Sequence, residues 1–141
     1  MGGGALGPGV MNRESMDAAL RVRFAPALRS RGFKGSLPHF RRVREDRIDL
    51  LTVQFDKWGG GFVIEIGRCP ADGITTPWGK EISPGEVTAH DLHPNARHRI
   101  GSRAPGEDGR WFRFDDGTPA GRVADAAVAM LEEADRWWDA G

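Results

Sequence analysis

The side chains best suited to catalysis or metal binding lie between residues 65 and 98. Three histidines, His90, His93 and His98, stand close together in the sequence, and imidazole groups are common ligands of zinc and iron. Their spacing matches no established metal motif, and Pro94 interrupts any helix that would align the first two. Solvent-exposed loop histidines are the competing interpretation, and we predict no metal and no cofactor.

Glu65 is the strongest single candidate for acid–base chemistry, because it lies in the middle of an apolar strand pattern. Such chemistry needs a second carboxylate or a histidine beside it in a shielded cleft. An ion pair between Glu65 and an arginine is the competing interpretation. A small enzyme with an acid–base or metal site around Glu65 or His90, His93 and His98 is therefore an alternative hypothesis, with no catalytic residue assigned.

The densest basic stretch is RRVRED at 41–46, followed by Arg47. Together with Trp58 and Trp111 it could form a patch on which single-stranded nucleic acid stacks its bases and places its phosphates. The chain has 20 lysine and arginine residues and 20 aspartate and glutamate residues, so its formal net charge is zero. Polyanion binders usually carry a basic excess, so we expect nucleic acid to be a disfavoured partner.

The stretch VQFDKWGGGF at 53–62 places a lysine and a tryptophan directly before three glycines. Glycines permit a tight bend, and Trp58 then either covers the end of the core or stands at the rim of a cleft. In RHRIG at 97–101, strand alternation puts both arginines on one face. Our preferred interpretation is a non-enzymatic module that binds a protein, a peptide or a small ligand. The residues predicted to form its site are Gln54, Lys57, Trp58, Arg97, Arg99 and Trp111.

Two amphipathic helices are predicted to frame the domain. Residues 13–31 carry apolar side chains at helical spacing, Gly32 is the expected left-handed C-terminal cap, and Pro26 predicts a kink or two shorter helices. The second helix is predicted to have Thr118 as its N-cap and Pro119 in the first helical position, and to run nearly to the end of the chain.

Alternation of apolar residues predicts strands near 37–44, 47–55, 62–67, 96–102 and 110–115. Each central strand has one fully apolar face and one mixed face, and the mixed faces carry Gln54 and Glu65. The apolar faces are expected beneath the helices. We therefore predict an α+β fold, with an antiparallel sheet of about five strands and an N-terminal and a C-terminal helix packed on one face.

A long connection rich in proline and glycine separates the predicted central strands from the later ones. It covers residues 70–92, and such a length is typical of a lid, a binding loop or a segment with short elements of its own. Its apolar residues predict that it packs down onto the domain: Ile74, Trp78, Ile82 and Val87.

The 141 residues suit a single domain, which we place at 12–141 after a flexible glycine-rich tail at 1–11. Either Met1 or Met11 fits as the natural start. No apolar run approaches the length of a membrane span, so no membrane partner is expected. The single cysteine, Cys69, favours a buried apolar role in a reducing compartment, so a cytoplasmic location is predicted. Both a monomer and a homodimer fit.

Several short motifs resemble the bacterial family catalogued as domain of unknown function 4304: GFK at 32–34, FRR at 40–42, VQFDKWGGGF at 53–62, RHRIG at 97–101 and RWF at 110–112. The resemblance covers roughly residues 16–138. It implies a small α+β fold with an antiparallel sheet between framing helices. It implies no activity, because the family has no assigned reaction or catalytic residues. The family often has two tryptophans where Trp111 and Phe112 stand.

Overall fold

The computed structural model describes residues 8–57, 59–101 and 109–140 of the chain. Four α-helices lie in these ranges: α1 (Pro8–Ala19), α2 (Ala25–Ser30), α3 (Ala120–Ala129) and α4 (Leu131–Ala140). The same ranges contain eight strands: β1 (Lys34–Ser36), β2 (His39–Val43), β3 (Arg47–Phe55), β4 (Gly61–Pro70), β5 (Ile74–Thr75), β6 (Glu81–Ile82), β7 (Arg97–Arg99) and β8 (Phe112–Arg113).

Six of these strands form one antiparallel sheet in the order β1-β2-β3-β4-β7, and β8 pairs with β4 beyond the end of β7. The long central hairpin of β3 and β4 pairs Leu51 with Ile66 and Phe55 with Phe62. The predicted strand at 47–55 is confirmed at both ends, and the α+β class with an antiparallel sheet is confirmed as well.

One face of the sheet, called the helix face here, packs against all four helices. It presents Leu51, Val53 and Phe62 to a core that includes Phe24 and Trp138, all of them at most 2% exposed. Fully burying a side chain of this size contributes about 1.5–3 kcal/mol. The prediction that the N-terminal and C-terminal helices share one face of the sheet is therefore confirmed.

The N-terminal helical region begins at Pro8, five residues before the predicted start, and changes geometry before Pro26. Residues 20–24 form a π-helical turn, in which the amide of Ala25 donates to the carbonyl of Leu20. Proline has no amide hydrogen and cannot continue the α-helical bonding pattern, so the preceding turn widens. The predicted kink thus takes the form of a π turn. Gly32, at φ +92°, caps the end as predicted.

The C-terminal helix differs from the prediction at its start and in its middle. Pro119 occupies the N-cap position and helix α3 begins at Ala120, while the amide of Thr118 donates to Asp116 (3.1 Å). The prediction of Thr118 as the N-cap was wrong, because Pro119 still has an extended backbone (ψ 139°) and its carbonyl accepts the first helical hydrogen bond, from the amide of Val123. The helix also divides at Met130 into α3 and α4.

The opposite face of the sheet, called the second face, is covered at one end. The segment that joins β4 to β7, residues 71–96, packs Val87, Ala89 and Leu92 over Ile48 and Leu50 in a second hydrophobic cluster. We call it the connecting segment. The predicted packing of its apolar residues is confirmed at Val87. It is wrong for Trp78, which is 76% exposed at the turn of the β5–β6 ribbon.

Within the described ranges, no helix has the length and apolar character needed to cross a bilayer.

Candidate functional site

Glu65 is a buried carboxylate at the centre of the second face, with only 7% of its surface exposed. One of its oxygens lies 3.2 Å from Nη1 of Arg97 and 3.7 Å from Nε2 of His90. Its other oxygen lies 3.5 Å from Nε of Arg99. These four residues are called the Glu65 cluster. A buried carboxylate needs such partners, because an ion removed from water without compensation is costly.

Strand register explains why the two arginines reach the same carboxylate. Arg99 lies opposite Glu65 and Arg97 lies opposite Gly67, so both side chains rise from β7 on the second face. This agrees with the alternation predicted for RHRIG. The approach of both arginines to Glu65 depends on the pairing of β7 with the edge of β4, which is a tertiary feature.

The connecting segment supplies His90 from a single turn of 3-10 helix at Ala89–Asp91. A capping box fixes this turn: the amide of Thr88 donates to Asp91 (2.8 Å), and the hydroxyl of Thr88 also contacts that carboxylate. Two residues further on, Leu92 packs directly over Gly67, where an added Cβ would overlap it. The missing side chain at Gly67 therefore lets the segment lie close enough to the sheet for His90 to reach Glu65.

His39 extends the Glu65 cluster on its β2 side. Its Nδ1 lies 2.9 Å from the hydroxyl of Thr52, and its ring stands edge-on to the ring of His90 at 6.0 Å. Burial lowers the pKa of His39, and the nearby charges of His90 and Arg41 lower it further, while the carboxylate of Asp91 opposes them. His39 consequently stays neutral to a lower pH than an ordinary histidine.

Five of the six predicted ligand-binding residues lie in the described ranges, where they extend from the Glu65 cluster to the bend between β3 and β4. Gln54 is exposed and lies opposite Val63 on the second face, and Lys57 is exposed in the bend between β3 and β4. Trp111 is half-buried just before β8, and its ring would contact a Cβ added at Gly61. Arg97 and Arg99 are half-buried in the Glu65 cluster. Trp58 lies outside the described residues.

The three histidines of the alternative hypothesis do not form one site. His98 lies on the helix face, where it stacks on Trp137 and pairs with Glu133 (3.0 Å). His93 is exposed and accepts a hydrogen bond from the amide of Asn95. Only His90 reaches Glu65, because strand alternation and the turn at Pro94 separate the other two. Across the described residues, no three His, Cys, Asp or Glu side chains are arranged to hold a metal ion.

The basic stretch at 41–46 is divided between the two faces, as alternation requires. On the helix face, Arg42, Arg44 and Arg47 all pair with the buried carboxylate of Asp49, at 2.8–3.1 Å. Arg41 lies on the second face and donates to the carbonyl of Pro84 in the connecting segment. These arginines make internal contacts and are divided between the two faces of the sheet.

Sequence reasoning missed His39 and Thr52 as neighbours of Glu65. Alternation in β2 places His39 on the same face as Arg41, so the face on which His39 lies could have been predicted from the sequence. The pairing of His39 with Thr52 across β2 and β3 depends on their register, and no local pattern marks it.

A six-stranded antiparallel sheet between helices and a long connecting segment, with a buried glutamate held by basic residues, defines a small α+β domain. The family model described as "Domain of unknown function (DUF4304)" matches residues 24–140, and the chain belongs to that family. The resemblance in the short motifs is thereby confirmed. The chain has no significant match among curated proteins or among solved structures.

Proposed function

We propose that this domain is a non-enzymatic binding module for a protein, a peptide or a small ligand. Its binding surface is the part of the second face that the connecting segment leaves uncovered, with Gln54, Lys57, Arg97, Arg99 and Trp111 as contacts. The observation that carries the proposal is the convergence of two half-buried arginines on Glu65, on the same face as an exposed glutamine and a half-buried tryptophan.

The position of Trp111 supports its role as the apolar anchor. Phe112 turns to the helix face, where it stacks on Phe62 with ring centroids 5.0 Å apart, so the alternate residue Trp111 takes the second face. There it borders Gly61 and lies about 6.0 Å from the guanidinium of Arg113. Tryptophan and arginine together are the residue types that most often dominate binding free energy at interfaces.

A second candidate function is acid–base catalysis, and one observation favours it. Glu65 is buried while the side chain of His90, 3.7 Å away, is 40% exposed, so a carboxylate could orient an accessible imidazole. Glu65 also pairs with Arg97 and Arg99, which suits a structural carboxylate equally well. If the protein converted a substrate and His90→Gln abolished that activity, acid–base catalysis would replace the binding module as the preferred function.

For setting and partners we propose a cytoplasmic protein, monomeric or homodimeric, that does not bind nucleic acid or membranes. A single buried thiol at Cys69 suits a reducing compartment. Arg42, Arg44 and Arg47 already pair with Asp49. We therefore do not expect these arginines to form a phosphate-binding surface.

A screen of peptides and small molecules against the isotope-labelled full chain, followed by backbone and indole NMR signals, tests the proposed surface. Hits are expected to shift the signals of Gln54, Arg99 and Trp111. Trp111→Ala is expected to abolish binding of those hits, while Trp78→Ala, which removes an exposed tryptophan elsewhere, leaves it unchanged. Hits that shift only signals of the β5–β6 ribbon, or that bind Trp111→Ala normally, would refute the proposed surface.

A further inference from the structure

We propose that the ligand of this module carries an oxyanion, a carboxylate or a phosphate group, which binds Arg97 and His90 in competition with the carboxylate of Glu65. The inference rests on the proposed function and specifies the chemistry of the ligand. It assigns Glu65 the role of an internal ligand that occupies the oxyanion position while the site is empty.

The cluster already has the geometry that oxyanion recognition requires. Two guanidinium groups and one imidazole, from β7 and from the connecting segment, converge on one carboxylate within 3.2–3.7 Å. Guanidinium groups bind carboxylates and phosphates alike, because their planar array of N–H donors matches pairs of oxygens. A site that binds Glu65 in this way can bind the same group on another molecule.

Access from solvent is uneven across the cluster, and it favours an external anion. The side chain of Glu65 is 10% exposed, whereas those of Arg97 and His90 are 26% and 40% exposed. Among the described residues, Glu65 is the only hydrogen-bond acceptor of the Arg97 side chain, through Nη1. A guanidinium has five N–H groups, so the solvent side of Arg97 can contact an incoming oxyanion, which then takes the place of the Glu65 carboxylate.

The surroundings of the cluster are also basic. Arg41 and His90 both lie close enough to His39 to lower its pKa, against a single opposing carboxylate, Asp91. A ligand anion that enters here meets the guanidinium groups of Arg41 on β2 and of Arg97 and Arg99 on β7. The buried negative charge that opposes its entry belongs to Glu65.

Replacing that charge without changing the shape of the side chain gives the decisive experiment. Benzoate and phenyl phosphate serve as probes, because each carries an oxyanion on the same small ring, and benzamide is the neutral match of benzoate. Binding is measured by titration calorimetry and NMR on the wild-type chain and on Glu65→Gln, Arg97→Gln and Arg122→Gln. Arg122 is an exposed arginine on α3 and acts as the control.

Wild-type protein is expected to bind at least one anion more tightly than benzamide, and Glu65→Gln is expected to tighten that binding at least about tenfold, because a buried like charge is removed. Arg97→Gln should abolish it and Arg122→Gln should leave it unchanged. The tighter of benzoate and phenyl phosphate identifies whether the natural group is a carboxylate or a phosphate. If Glu65→Gln does not fold, the oxyanion assignment is still tested by two results: wild-type protein should prefer benzoate to benzamide, and Arg97→Gln should lose the binding of benzoate.

Equal binding of benzoate and benzamide, or unchanged anion affinity in folded Glu65→Gln, would overturn the oxyanion assignment. The assignment would also be overturned if neither benzoate nor phenyl phosphate bound to wild-type protein or to folded Glu65→Gln. The proposed surface is judged separately: neutral hits that still shift Gln54 and Trp111 would keep the binding module while removing its oxyanion specificity.

Discussion

Arg42 and Asp49 face each other across β2 and β3, and their side chains meet at 2.9 Å on the helix face, where Asp49 is completely buried. Arg42 also lies over the rings of Phe33 and Trp138, at 4.6 and 5.1 Å. This ion pair joins the sheet to the core beneath α4. Arg47 pairs both with this buried carboxylate and with the exposed carboxylate of Asp139.

Asp49→Asn should lower the free energy of unfolding by about 3 kcal/mol, because it leaves buried arginine charge without its partner. Asp139→Asn is the matched control: its carboxylate also pairs with Arg47, at 2.9 Å, but is 65% exposed. Exposed ion pairs contribute little, so the control should unfold at nearly the wild-type denaturant concentration. Equal losses in the two variants, measured by denaturant titration, would contradict this account.

Gly67→Ala should destabilise the protein by about 1–3 kcal/mol, since the new methyl group would overlap Leu92 and lie 3.1 Å from the carbonyl oxygen of Ala96. The displaced connecting segment would move His90 away from Glu65 and change the NMR signals of both. Gly85→Ala is the control, because nothing lies within 4 Å of a Cβ added there. A neutral Gly67→Ala, with both signals unmoved, would show that this close contact is not required.

Stability should fall as the pH drops below about 6.5, in part because of His39. Its pKa is lowered in the folded protein from the ordinary value of 6.5. Below 6.5 the unfolded chain therefore binds a proton at His39 more readily than the folded protein does, and acid favours unfolding until the folded pKa is passed. In the folded protein Arg41, His90 and Asp91 face this ring.

His39→Gln should accordingly show a smaller loss of unfolding free energy than wild type as the pH falls from about 7.5 to about 5.5. Denaturant titrations across this range provide the measurement. The exposed Arg122 gives the control variant Arg122→Gln, which changes no group that titrates in this range, so its slope should match that of wild type. Identical slopes for wild type and His39→Gln would rule out this linkage.

Cys69 should resist alkylation in the folded state. Burial raises the pKa of its thiol from 9.0 to about 11, so near pH 8 about a hundredfold less thiolate is present than in the unfolded chain. Since Cys69 is the sole cysteine, mass spectrometry of iodoacetamide-treated protein reads this site alone. Labelling should be slow in buffer and fast in concentrated guanidinium chloride. A native rate equal to the unfolded rate would mean that the thiol is accessible.

Local patterns were enough to predict the two helical regions and the central strands of the sheet. The alternation in RIDLLTVQF gave both ends of β3, and Gly32 marked the end of α2, because these features depend on neighbours in the chain. The same reasoning selected Glu65 as the unusual carboxylate and placed Arg97 and Arg99 on one face. It went wrong at Thr118 and Trp78, where a competing turn and a ribbon that projects into solvent decided the outcome.

The sequence by itself determined the class of the fold, the helix face of the sheet and the residue types that a binding site could use, because side-chain periodicity follows from backbone geometry. The tertiary structure decided which of those residues meet. Strand register placed Arg97 and Arg99 beside Glu65, and it placed His39 beside Thr52 on the same face of the sheet. The packing of Leu92 on Gly67 brought His90 to Glu65. Contacts between residues far apart in the chain depend on how whole elements dock, which short sequence patterns do not specify.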